Sequence, residues 1–173
     1  MSTTPTLKWF NELAPETARE ELLKCCGAKR WAEIVAQTRP YSSFEDLITK
    51  ANDTWWTLDR DDWLAAFRSH PKIGERKAAN PVAAQSQQWS TQEQRGVANA
   101  TPDAVDKLAR LNRAYEEKFG FIFIVCATGK SSDEILALLE QRLNNAPEVE
   151  LPIAAAEQAK ITELRLRKLL DPA

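Results

Sequence analysis

Histidine is almost missing from this chain: His70 is the only one. A zinc site draws on several histidine, cysteine or carboxylate ligands at close spacing, so no metal motif is recognisable. Cysteine is scarce as well. Cys25, Cys26 and Cys126 are odd in number and form no Cys-x-x-Cys pair. Neither a disulfide framework nor a zinc knuckle is expected, and all three read as small buried hydrophobes. The five glycines fall in no phosphate-cradling loop or nucleophile elbow. No run approaches the roughly 20 apolar residues of a membrane span. An excess of either charge is also lacking. Lys and Arg number 23 against 25 Asp and Glu, a formal net charge of -2. With no basic stretch, neither a nucleic-acid partner nor a membrane is expected. The opening Met1–Pro5 carries no secretory pattern, and Asp171-Pro172-Ala173 is no peroxisomal address. A cytoplasmic location is therefore expected.

What is present is helical. The 173 residues are 43% hydrophobic and 28% charged, which suits one soluble domain spanning 1–173. Helices are predicted over Leu7–Leu13, from Pro15-Glu16 to Cys26, over Lys29–Gln37, over Leu47–Trp55 after a cap near Ser43, and over Asp61–Arg68 after Asp59. Pro71 disfavours helical geometry at His70, so that helix should stop near Ser69. From Pro71 to Trp89 the pattern weakens and a long loop is expected. Ser90 then reads as the cap of a helix over Thr91–Asn99.

Thr101-Pro102 opens a longer helix, with Val105, Leu108, Leu111 or Asn112, and Tyr115 on its inner face, closed by Gly120. Phe121–Cys126 is aromatic and β-branched but has no second strand to pair with, so a buried extended segment is expected. A helix capped by Ser131 and ending near Asn144-Asn145 follows. The last runs from about Glu148 to Leu170, with Pro152 delaying or kinking it. The fold class is all-α, a single bundle of about eight or nine helices. The six tryptophans are expected mainly in the core, with Trp89, beside Ser90, a candidate for the site.

Three groups of residues can carry chemistry. His70 lies at a helix end beside a stiff proline, and imidazole is the side chain best suited to moving protons near neutral pH; the same context also fits a surface or capping histidine. Ser90-Thr91-Gln92-Glu93-Gln94 has the spacing of a capping box, and a helix N-terminus also attracts anions. Arg142 and Arg165 sit among apolar residues on helices, where a guanidinium can fork onto a carboxylate.

The order of the motifs is more specific than any one of them. His70-Pro71-Lys72-Ile73-Gly74 is followed by Ser90-x-x-Glu93-Gln94, then Asn112-x-x-Tyr115-x-x-x-Phe119-Gly120-Phe121-x-Phe123-Ile124, then Arg142-Leu143-x-Asn145, then Leu164-Arg165-Leu166. From about Phe10 to Leu170 the chain resembles the 2-oxo-4-hydroxy-4-carboxy-5-ureidoimidazoline (OHCU) decarboxylases of urate breakdown. Ile122 stands where many members have proline.

The resemblance implies an all-helical homodimer that needs neither metal nor organic cofactor and converts OHCU to (S)-allantoin and carbon dioxide. It makes His70 the catalytic histidine, with Glu93 as its partner and Pro71 lining the site. Ser90, Gln94 and the segment Phe123, Ile124, Val125, Cys126 and Ala127 would bind substrate. Arg165 would anchor it, with Arg167 the alternative. Two other readings are compatible with the residues: a non-enzymatic helical interaction module, and a hydrolase of a related ureide.

Overall fold

Capping residues set many of the helix boundaries. In a computed structural model, which describes residues 5–72, 84–98 and 100–170, the chain forms α1 (Leu7–Glu12), α2 (Pro15–Leu23), α3 (Lys29–Gln37), α4 (Phe44–Thr57), α5 (Arg60–Arg68), α6 (Ala84–Glu93), α7 (Pro102–Phe119), α8 (Ser132–Arg142) and α9 (Pro147–Leu170). A short 3-10 turn covers Arg95–Val97. Among the described residues there is no strand, as expected for an all-α fold. Ser43 accepts from the Asp46 N–H at 3.1 Å and Thr101 from Ala104 at 3.2 Å. Ser131 and Glu134 form a reciprocal capping box. Each such cap is worth about 1 kcal/mol. Gly120 closes α7 at φ +81°, a left-handed conformation that a side chain disfavours.

The chain divides into two compact units, Met1–Ala66 with Ala159–Ala173, and Phe67–Gln158. In the first, Phe10, Leu22, Trp31, Leu47, Trp55 and Leu166 are buried. Buried polar groups there find partners. The Trp31 indole donates to the Ala51 carbonyl at 2.9 Å, and the Tyr41 hydroxyl donates to Val35 at 2.6 Å.

In the second unit, Leu108, Asn112, Tyr115 and Phe119 form the inner face of α7. Val105, expected on that face, is 48% exposed. The first turn of α7 leaves it outside the packed stripe. Phe121 and Phe123–Ala127 are buried, as expected; Phe121 lies in a bend, and 122–127 carry neither helix nor strand. Pro152 does not delay α9, which begins at Pro147 and continues through it.

The region before Ser90 departs from expectation. Positions 73–83 of the expected loop lie outside the described residues, but 84–89 are helical. Ser90 is therefore no N-cap. It lies inside α6, where its carbonyl accepts from the Gln94 N–H at 3.1 Å, and Glu93 ends the helix rather than beginning it. The reason is visible in burial. Ser86, Trp89, Ser90 and Glu93 are all buried, at helical spacing, so the inward stripe of α6 is mostly polar. A search for apolar periodicity passes over such a helix.

Candidate active site

His70 follows the end of α5, its N–H bonded to the Phe67 carbonyl at 3.2 Å, which matches the stop enforced by Pro71. The imidazole is half-buried and Pro71 is buried. Lys72 points to Glu116 of α7 at 2.9 Å. The His70 Nε2 lies 2.7 Å from Oε1 of Gln158 on α9, and Gln158 is fully buried. An uncompensated amide at such a position costs several kcal/mol in an apolar setting, so this bond is strongly favoured.

Beside Gln158, Glu157 accepts from the backbone N–H of Cys126 at 3.1 Å. Two successive side chains of α9 thus hold the histidine turn and the extended segment. Neither was singled out from sequence. Their signal was a Glu-Gln pair in an otherwise alanine-rich stretch, and only the fold supplies their partners.

The extended segment lacks a partner strand, and side chains satisfy its backbone instead. Arg142 Nη1 donates to the Ile124 carbonyl at 2.6 Å, and Lys130 Nζ donates to the Cys126 carbonyl at 2.8 Å. Arg142 is held by Glu150, which also accepts from the Tyr115 hydroxyl at 2.8 Å and from Asn145 at 3.2 Å. The guanidinium lies 4.6 Å from the Phe123 ring centroid, close enough for a cation–π contact. Arg142, a candidate ligand-binding group by sequence, is occupied in shaping this segment. Burial is the main reason the Cys126 thiol is raised above its ordinary range; the Thr128 N–H and Lys130 oppose the rise, and the Glu157 and Glu93 charges add to it.

The sequence-predicted residues His70, Pro71, Ser90, Glu93, Gln94 and Phe123–Ala127 all fall within Phe67–Gln158. Ser90 and Glu93 are buried and Gln94 half-buried. Arg165 belongs to the other unit, where it is buried and donates to the Lys24 carbonyl at 3.3 Å. Arg167 is exposed, bonded to Glu163 at 3.1 Å and stacked over Phe44. A groove of about 360 Å³ in that unit is lined by residues of α4 and the end of α9, including Asn52, Asp53, Lys160 and Glu163. None of the predicted site residues lines it. The Phe67–Gln158 unit, rather than this groove, holds the groups that proton chemistry needs.

The model of the OHCU decarboxylase family matches residues 11–167. The chain is 39% identical to the uric acid degradation bifunctional protein TTL of Arabidopsis thaliana over 92% of its own length and 49% of that protein. It is 30% identical to the 2-oxo-4-hydroxy-4-carboxy-5-ureidoimidazoline decarboxylase of Haloferax volcanii, over 93% of this chain and 94% of that one. It thus spans about half the plant protein and about a third of two Bacillus bifunctional proteins. A crystal structure of an OHCU decarboxylase in the presence of (S)-allantoin superposes with a TM-score of 0.76 at 38% identity, covering 88% of this chain and 98% of that one. The motif order, the helical fold and these likenesses agree, and the chain belongs to the OHCU decarboxylase family.

Proposed function

We propose that this protein decarboxylates OHCU to (S)-allantoin and carbon dioxide in urate degradation. The observation that carries this reading is the half-buried imidazole of His70 bonded to fully buried Gln158, in the unit that also holds buried Ser90, Glu93 and Phe123–Ala127. Family membership supports the substrate, as does the likeness to a decarboxylase crystallised in the presence of (S)-allantoin.

The chemistry needs no organic electron sink. The carbon that carries the carboxylate also bears a hydroxyl and adjoins an imine-type carbon. Its bond to the carboxylate breaks, carbon dioxide leaves, and the electron pair enters the C=N system. The ring nitrogen takes a proton and an enaminol forms. Loss of the hydroxyl proton and protonation of the neighbouring carbon on one face then give one allantoin enantiomer. His70 handles the proton at the hydroxyl or at that carbon, with Glu93 as its carboxylate partner. Ser90, Gln94 and the backbone of Phe123–Ala127 hold the ring and ureido groups, and Arg165 anchors the anionic charge.

In this reading the chain acts as one cytoplasmic domain, as its length and composition lead one to expect, and as a homodimer on the strength of the family resemblance. The test is the optical activity of the product. OHCU decays to allantoin unaided, so circular dichroism is followed against an enzyme-free control. A single (S) enantiomer formed faster than background supports the proposal. A racemate at the background rate overturns it.

A further inference from the structure

We propose that Gln158 is a positioning residue that keeps a proton on Nε2 of His70, so that the acid–base change of the ring takes place at Nδ1. This deepens the decarboxylase reading and rests on it. A carboxamide oxygen only accepts hydrogen bonds. With Oε1 2.7 Å from Nε2, that nitrogen carries hydrogen whether the ring is neutral or charged. Gln158 is fully buried in the interior of α9, so few rotamers are open to it. Its neighbour Glu157 is tied to the Cys126 N–H, which fixes the same helical turn against the extended segment.

Nε2 is taken by Gln158, so Glu93 and the substrate proton meet the ring at Nδ1, and the neutrality of Gln158 matters. A carboxylate in this place would favour the imidazolium and raise the pKa of the ring, whereas an amide orients it without adding charge. Charged groups on the surrounding elements are Arg68 on the histidine's own helix, Lys72 with its partner Glu116, Glu93 on α6, Lys130 after the extended segment, and Glu157. These stay constant when position 158 is varied.

Because the chain has one histidine, 15N-histidine labelling gives a spectrum with a single imidazole. The wild type should show protonation at Nε2, with that proton protected from solvent exchange. Q158M keeps the volume but removes the acceptor. It should lose the protection and lower kcat by about 10- to 100-fold, the range seen when the partner of a metal-bound histidine is removed, with little change in KM. Q158E should move the ring titration, and the matching limb of the pH–rate profile, to higher pH by about one unit or more.

A wild-type ring protonated at Nδ1 overturns the inference. So does a Q158M spectrum like that of wild type, or a Q158E titration that does not move. The spectra need no turnover. If they behave as expected while wild-type protein gives only racemic allantoin at the background rate, the decarboxylase reading fails and the positioning role stands.

Discussion

Arg142 and Ile124 stand 18 positions apart, yet the guanidinium of one donates to the carbonyl of the other at 2.6 Å. That bond does for the extended segment what a neighbouring strand does in a sheet. Both side chains of the Arg142–Glu150 pair are buried, so removing one partner strands the other charge. Arg142→Met should therefore cost about 3–5 kcal/mol in urea unfolding. Adding Glu150→Leu should return part of that loss. Wild-type stability in the single variant would contradict this account of the segment.

Gly96 is a second support that no motif announced. A Cβ built there would lie 2.0 Å from the Lys130 carbonyl oxygen, a backbone atom that cannot swing aside. Gly96→Ala should push the 3-10 turn away from the start of α8 and destabilise the protein by about 1–3 kcal/mol. Thermal unfolding and the rate of OHCU turnover should fall together. An unchanged melting temperature argues against the close approach.

Much of the helical scaffold was legible because its signals are local. Lys29–Gln37 has the predicted bounds, and the cap at Ser131 forms as read, with Glu134 completing a box. The misreading of Ser90 has a physical cause. Helix α6 buries Ser86, Ser90 and Glu93, so the polarity that suits a site erased the apolar period and made Ser90 look like a cap. Gln158 meets His70 across 88 positions, a separation on which neither helix gives a local signal. Sequence separated Arg165 from Arg167 only by motif register; burial separates them physically.

That difference leads to a paired experiment. Arg165 is 3% exposed, whereas Arg167 has a side chain 42% exposed and an i,i+4 partner in Glu163. Exposed helical pairs of this kind contribute about 0.3–0.5 kcal/mol. Arg167→Ala should leave turnover near wild type and stability within that margin. Arg165→Lys keeps the charge but loses the planar fork, and should raise KM for OHCU. The reverse pattern would assign the anchor to Arg167.

The cysteines should be inert in the folded protein. Burial raises the Cys26 thiol from 9.0 to about 11, with the Ala28 backbone, Thr162 and Arg165 opposing the rise. Cys25 is also raised, again chiefly by burial. The thiolate is the reactive form, so all three thiols should react slowly with a disulfide reagent at pH 8 and react fully in denaturant. A thiol with a raised folded-state pKa binds its proton more tightly when folded. Its contribution to stability is complete below about pH 9 and is lost as pH rises through about 11. Urea titrations should show stability falling over that window, and a Cys26→Ser variant should show a shallower fall.

The lone imidazole is best tested by removing it. His70→Ala should keep its far-ultraviolet dichroism but unfold at a lower midpoint, because fully buried Gln158 loses its imidazole partner, while stereospecific formation of (S)-allantoin from OHCU slows by about 10²–10⁴-fold. A folded His70→Ala protein that still makes the single enantiomer at the wild-type rate would contradict the proposed role of His70.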